Sequence, residues 1–385
     1  MYKTKGLRNS RIEVADALRG IAVMGIILYH AVEHFNIGGG PTSLSLPCDG
    51  TVFNILTVLL SGKMYGIFAL LFGLSFFIMR DNQEQKGKDF SLRFAWRMVL
   101  LFCFGAINMA FYNGDILTFY ALLGLLMIPA GYLSTPVLWA ITIFLLIQPI
   151  EIYSLLSGWH PDISAMGKYY MILAKAGNDG TFLECAGASL HYGFIASLLW
   201  FIGKGRLTQT LGLFFLGILF GRKRLFYNEG NHLKIWRVVC VVSALLVAAG
   251  SIFGSWSHGS VGFGKLDSLL HPLYNLAILL LIVSGVVLLW YAFEGFRKGL
   301  SHICFFGRMS LTNYLLSSVL GCFVFYGWGL ALNNVLGTTW SLLVGIAIVV
   351  LQIVILYQWA RKHKRGPLET IWRKLTWIGS SESSK

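Results

Sequence analysis

Charge is scarce in this chain, and its cysteines follow no pattern. Only 12% of the 385 residues are Asp, Glu, Lys or Arg, about half of what a soluble globular protein carries. Hydrophobic residues make up 56% and gather in runs of membrane-spanning length. That combination excludes an ordinary soluble domain and reads as an all-α, polytopic membrane protein. A transmembrane β-barrel is excluded as well, because its signature is short alternating segments. The six cysteines lack C-x-x-C spacing, so neither a zinc site nor a redox motif is indicated. Cys48 and Cys185 both fall in expected outer loops, where they stand either as a pair or as two separate thiols.

Ten spans are expected, at 16–36, 60–79, 94–112, 115–133, 135–156, 206–221, 236–254, 270–293, 305–326 and 338–360. An even number puts both termini on one side. With that side cytoplasmic, 25 of the 31 Lys/Arg fall in or beside inner segments, as the positive-inside rule requires. The net charge of +14 therefore points to anionic lipid headgroups rather than nucleic acid. The expected topology is multi-pass, with both termini cytoplasmic. The apolar run after MYKTKGLRNSR lacks a small-x-small cleavage pattern and carries polar residues, so it reads as a retained first helix.

No soluble domain interrupts the helices, and 1–385 is expected to form one membrane domain. Its longest non-spanning stretch is an outer loop at 157–205, with an amphipathic piece at Met166–Ala176 and an apolar segment at His191–Gly203. A second outer loop, GSIFGSWSHGSVGFGK, is glycine-rich but lacks the Lys-Ser/Thr ending of a phosphate-binding loop. After the last span, Leu368, Ile371, Trp372 and Leu375 fall at i, i+3, i+4, i+7 behind Pro367. That spacing predicts an interfacial helix over 366–378.

Polar groups inside the spans attract the most attention, since each needs a partner or a wet cavity. The first span reads RIEVADALRGIAVMGIILYHAVEH. Arg19 and His30 are eleven residues apart; at roughly 100° per residue they share a face, about 16 Å apart along the axis. Asp16 and Arg19, at i, i+3, can pair near the inner end. His30 suits either a helix–helix hydrogen bond or general base and relay chemistry, and Glu33 or His34 lies close enough to orient it. His30 and His34 offer a metal no evident third ligand, so none is expected. Asp115 in Asn113-Gly114-Asp115 is either a helix cap or an orienting carboxylate. Lys63 sits at the outer end of the second span, where Gly62, Gly66 and Gly73 permit close helix approach. Gln148, Pro149 and Glu151 mark a kink. Arg308, Thr312 and Asn313 open the ninth span, Arg308 toward headgroups and the others toward the bundle.

ADALRGIAVMGI, FALLFGLSFF, YNGDILTFYALLGLL, LFFLGILFGRKRLF, GRMSLTNYLLSS and KRGPLETIWRKLTW together resemble the YeiB-type bacterial inner-membrane proteins, a domain family of unknown function. That family is in turn similar to the transmembrane acyltransferases, which include the acyltransferase-3 proteins and heparan-glucosaminide acetyltransferase. The resemblance implies a transmembrane-acyltransferase-like fold. The acyltransferase-3 group carries an arginine, ten residues and a histidine in its first helix, the spacing of Arg19 and His30. Many YeiB-type members have asparagine at the position of His30. The R-x-x-R motif of the enzymes is absent; Arg93 and Arg97 stand one residue further apart.

The resemblance implies a membrane-embedded O- or N-acyltransferase using cytoplasmic acyl-CoA, such as acetyl-CoA. His30 would act as base, with Asp115, Glu33 or His34 steadying it. Arg19, Asp16, Arg93, Arg97, Arg308 and Asn313 are the expected donor-side residues. The acceptor would be a glycan, lipid or small molecule on the outer side. A proton-coupled transporter or a solute- or lipid-binding membrane protein is the alternative.

Overall fold

The computed structural model describes residues 11–37, 43–227, 232–257 and 260–378. The basic stretch 1–10, the end 379–385, and parts of the loops expected around 228–231 and 258–259 lie outside the described residues. Helices dominate the described residues. Apart from connecting loops and an isolated Leu44–Leu336 bridge, they leave a short antiparallel hairpin, β1 (Ser255–Ser257) with β2 (Ser260–Gly262), in the glycine-rich loop.

In chain order the first helices are α1 (Glu13–Val32), α2 (Asp49–Leu59), α3 (Met64–Glu84), α4 (Ser91–Met109), α5 (Leu117–Leu125), α6 (Met127–Tyr132), α7 (Thr135–Leu146) and α8 (Pro149–Ser157). Next come α9 (Ala165–Asp179), α10 (Phe182–Ala188), α11 (Phe194–Gly203), α12 (Arg206–Arg222), α13 (His232–Phe253) and α14 (Asp267–Ala292). The last are α15 (Glu294–Ser301), α16 (Cys304–Arg308), α17 (Ser310–Phe325), α18 (Thr338–Lys362) and α19 (Pro367–Thr376).

Seven helical segments among the described residues are long and apolar enough to cross a membrane. An eighth is the α7–α8 pair, bent by 50° where Gln148 turns left-handed and Pro149 opens α8. Proline supplies no amide hydrogen to the preceding turn, so the break falls where the sequence marks it. Each of the ten expected spans falls on helix, but not always on one of membrane length. The 115–133 span divides into α5 and α6, and α12 and α17 have 17 and 16 residues. Conversely, the stretch read as an outer loop is largely helical. There α10 and α11 run together as one 22-residue segment, apolar enough on average to cross a membrane, through one π-helical turn at Ser189–Gly193.

The centre of the bundle is the α3–α12 seam, whose two helices run in the same direction. A Cβ on Gly73 would collide with the Phe214 carbonyl, and one on Gly217 with the Leu70 carbonyl. Lipid tails are as apolar as leucine, so helices associate here by close contact rather than by a hydrophobic drive. Around the seam, Phe72, Tyr120 and Phe214 pack ring on ring with centroids 5.1–5.7 Å apart. Helix α1 joins the bundle through another glycine contact: a Cβ on Gly307 of α16 would strike the Asp16 carbonyl.

The helix expected over 366–378 is present as α19, with Pro367 in its first turn. Its apolar face lies on the bundle, where Trp372 is buried. Glu369 caps a neighbouring helix. Its Oε1 accepts from the Leu311 and Thr312 amides at 2.8 and 3.0 Å, and its Oε2 from the Thr312 hydroxyl at 2.6 Å. The first amides of α17 thus gain partners. Burial pushes the Glu369 carboxyl above the usual glutamate range, while the Thr312 hydroxyl and both amides pull it down.

These contacts yield two predictions. Gly73→Ala is expected to lower the unfolding midpoint of detergent-purified protein by overpacking worth about 1–3 kcal/mol. Gly285→Ala, where an added Cβ meets nothing within 4 Å, is expected to be neutral or stabilising by up to about 1 kcal/mol. Glu369→Ala strands three donors and is expected to cost about 1–3 kcal/mol. Glu369→Gln keeps an acceptor and should lose clearly less in the same melt.

Candidate functional site

Helix α1 carries candidate functional side chains at both ends. At the first end Asp16 collects two arginines. Its Oδ2 accepts from Arg11 Nε and Nη2 at 2.9 and 2.7 Å, and its Oδ1 from Arg19 Nη1 at 2.8 Å. The other arm of Arg19 donates to Ser75 Oγ at 2.8 Å, which ties α1 to α3. The expected Asp16–Arg19 pair is therefore present, with a third member.

This end opens into a cavity of about 1430 Å³. Eight cationic side chains line it against two carboxylates, Asp16 and Glu369. Arg97, Arg308, Lys364 and Arg365 are among the cations. Arg97 lies flat on the Trp372 ring at 3.5 Å from its centroid. Among the described residues the buried Arg308 Nε has no hydrogen-bond partner. Deeper in, the walls become apolar and aromatic at Phe68, Phe72, Leu117 and Tyr120. A basic mouth above an aromatic neck suits a ligand with an anionic head and a slender arm.

Two expected donor-side residues lie elsewhere. Arg93 donates to the Thr376 and Ile378 carbonyls at 2.9 and 3.2 Å, holding the end of α19. Asn313 is fully buried and donates to the Phe306 carbonyl at 2.9 Å; its role there is to join α16 to α17.

Eleven residues along α1, His30 faces a second, smaller cavity of about 220 Å³. Glu33 and Asp115 line it with His30, so three of the four expected catalytic residues share one pocket. The fourth does not. His34 bonds the Ser341 hydroxyl at 2.9 Å and stacks on Phe325. Backbone geometry explains the difference. His34, Phe35 and Asn36 have φ of 49°, 52° and 67°, a left-handed run that ends α1. This run drives Phe35 into the core and turns His34 away from His30.

The partner of His30 is Tyr112, whose hydroxyl lies 3.0 Å from Nδ1. Among the described residues no hydrogen bond joins His30 to Glu33, His34 or Asp115. Asp115 instead accepts from Asn108 Nδ2 and the Thr118 amide, both at 2.9 Å. It is thus a helix cap with one edge on the pocket. With Nδ1 engaged by the tyrosine, Nε2 is the ring nitrogen left to face a substrate. Tyr112 and Tyr170, which both line this pocket, escape a sequence reading, although Tyr112 directly precedes the Asn-Gly-Asp turn.

The two cavities share one lining residue, Tyr314 of α17. Its hydroxyl accepts from the Ile116 amide at 3.3 Å, which draws α17 to the start of α5. Tyr314 belongs to the GRMSLTNY segment, but nothing in sequence spacing places it between two cavities.

The expected outer thiols are separate: Cys48 is exposed and Cys185 buried. Cys48 lies 3.5 Å from the Thr339 hydroxyl.

Tyr112→Phe is expected to shift the imidazole ¹⁵Nδ1 resonance of His30, while Ser341→Ala leaves it in place and shifts His34 instead. Side-chain ¹⁵N NMR of histidine-labelled protein reads both.

Residues 220–379 match the family model described as Protein of unknown function (DUF418). Along its length the chain is similar to the Uncharacterized protein YxaH of Bacillus subtilis (strain 168). The two are 26% identical over 402 residues, covering 97% of this chain and 96% of that protein. It is likewise 26% identical over 397 residues to the Uncharacterized protein YeiB of Escherichia coli (strain K12), covering 94% and 95% of the two chains. An uncharacterized 39.9 kDa protein in the amylase 3' region of Bacillus acidopullulyticus is 24% identical over 383 residues, covering 96% of this chain and 94% of that one. These likenesses support the YeiB-type family.

Proposed function

Taking the YeiB-type likeness as premise, we propose that this chain is a membrane-embedded acyltransferase related to the acyltransferase-3 enzymes. The observation that carries the reading is the pairing of two unlike cavities along one helix, meeting at Tyr314. A cation-rich cavity with an aromatic neck fits a phosphate-bearing thioester such as acetyl-CoA. The pocket beyond Tyr314 offers an imidazole held by Tyr112 beside two carboxylic residues.

In this reading the Arg19 end faces the cytoplasm of an inner membrane and both termini lie there, consistent with the placement of basic residues. The donor's phosphates rest among Arg97, Arg308, Lys364 and Arg365, and Arg19 stands at the base of the mouth. Its acyl group reaches past Tyr314. His30 Nε2 removes the proton from an acceptor hydroxyl or amine as the nucleophile attacks the thioester carbonyl. The acyl–oxygen or acyl–nitrogen bond forms, the carbon–sulfur bond breaks, and free CoA leaves as thiol after taking up the proton. Glu33 and Asp115 lower the cost of the transient imidazolium. Membrane lipids surround the bundle, and the acceptor is a glycan, lipid or small molecule.

A transporter is the second reading, favoured by the same pair of cavities, which both reach Tyr314.

The deciding experiment measures coenzyme A binding to purified protein and slow release of CoA from acetyl-CoA. Binding is expected, weakened at least tenfold by Arg19→Ala, and release is expected to fall at least a hundredfold in His30→Ala. Absence of binding, or release indifferent to both substitutions, would sink the acyltransferase. Proton-coupled uptake into vesicles, lost in His30→Ala, would establish the rival.

A further inference from the structure

Beside the His30 pocket lie two buried cations without a counter-ion. Lys63 and Arg206 are 4% and 5% exposed. Among the described residues neither has a carboxylate within 4.0 Å. The Lys63 ammonium has only the Thr57 carbonyl, at 3.3 Å. Arg206 spends Nη1 on Gln209 Oε1 at 2.7 Å, and its Nε is buried with no acceptor. Each cation sits in the field of the other, and both bear on the imidazole of His271.

Such an arrangement is costly. Burying one unpaired charge costs several kcal/mol, and a like charge nearby adds to it. Arginine keeps its proton in any protein environment, so Arg206 has no escape by neutralisation. A water satisfies hydrogen bonds but not charge. What settles the fixed Arg206 charge and its open guanidinium edge is an oxyanion, which the Lys63 amine beside it can also bind.

The corner borders the pocket without lining it: Lys63 and Arg206 stand directly behind residues that do. The Arg206 guanidinium packs over Gly62, where an added Cβ would lie 2.7 Å from Nη2. It also stands 5.4 Å from the centroid of Tyr65. Gly62 and Tyr65 line the His30 cavity, and the Tyr65 hydroxyl is buried beside the Arg206 side chain. Gly62 has φ of 78°, a conformation that favours glycine, and its lack of a side chain keeps backbone and guanidinium in contact.

We infer that Lys63, Arg206 and Tyr65 form an oxyanion-binding subsite of the His30 pocket, and that the acceptor carries a carboxylate, phosphate or sulfate beside the group to be acylated. The second clause rests on the acyltransferase reading; the subsite itself does not.

The test uses full-length protein and thermal unfolding at constant ionic strength. Inorganic phosphate, sulfate and glucuronate are titrated against chloride, once in neutral detergent and once in nanodiscs. The nanodiscs contain phosphatidylcholine alone or with phosphatidylglycerol. A saturable rise in the midpoint is expected, weakened at least tenfold in Arg206→Gln and Lys63→Met and partly restored in Arg206→Lys. It should persist in Arg308→Gln, which alters only the other cavity. Stabilisation by the soluble anions identifies a soluble acidic group. Stabilisation that appears only with phosphatidylglycerol identifies a lipid headgroup, and either supports the subsite. Stabilisation lost in Arg308→Gln but kept in Arg206→Gln, or no saturable effect from any anion, overturns it. If CoA release fails in wild type while the Arg206-dependent binding persists, only the acyltransferase reading falls.

Discussion

The cost of placing charge in an apolar bundle organises this molecule. Every ionised side chain within it must find a counter-charge, a wet cavity or a ligand. Asp16 illustrates the first solution, with two arginines on one carboxylate and Ser75 taking the remaining arm of Arg19. The cations around the large cavity illustrate the second. Lys63 and Arg206 have neither, and that difference separates a structural ion pair from a binding corner. Glu369 follows the same logic at the edge of the bundle, where a half-sheltered carboxylate answers the open amides of α17.

Helix α1 converts this sorting into a geometry. Its first turns join the cation cavity, its last turn the histidine pocket, and the two are held in register by roughly three turns of one rigid helix. Tyr314 closes the line between them. The chemistry proposed for the pocket depends on that register, because a donor anchored by its phosphates can deliver its reactive end at only one depth. The left-handed run at His34–Asn36 then fixes the far rim. It spends backbone strain, about 1–3 kcal/mol per such residue, to seat Phe35 in the core and bring Asn36 to the pocket.

Much of this was legible in the residues. Helical period placed Arg19 and His30 on one stripe, the i, i+3 spacing joined Asp16 to Arg19, and Gln148-Pro149 marked the bend. Glycines 62 and 73 announced close approach. Three things stayed hidden. Tyr112 and Tyr314 are aromatic residues in aromatic-rich helices, so only tertiary packing reveals that one holds an imidazole and the other parts two cavities. Hydrophobic runs report burial but not helix length: 115–133 breaks into two short helices, while 182–203 extends into one long one. And His34 looked equivalent to Glu33 until three left-handed residues turned it toward Ser341. Arg93 and Asn313 were misplaced for a related reason, since neither a basic loop nor an apolar helix start says which neighbour will claim a polar group.

The glycine seam between α3 and α12 bears on motion as well as on assembly. Backbone there meets backbone at two levels, Gly73 against Phe214 and Gly217 against Leu70, with no flexible side chain between to absorb displacement. Sliding one helix past the other by even part of a turn would drive carbonyl into carbon. The pair therefore behaves as a fixed stator. Any exchange between the two cavities must come from movable parts around it, a rotation of the Tyr314 ring or a tilt of α1 and α17, rather than from two halves of the bundle rocking through the seam.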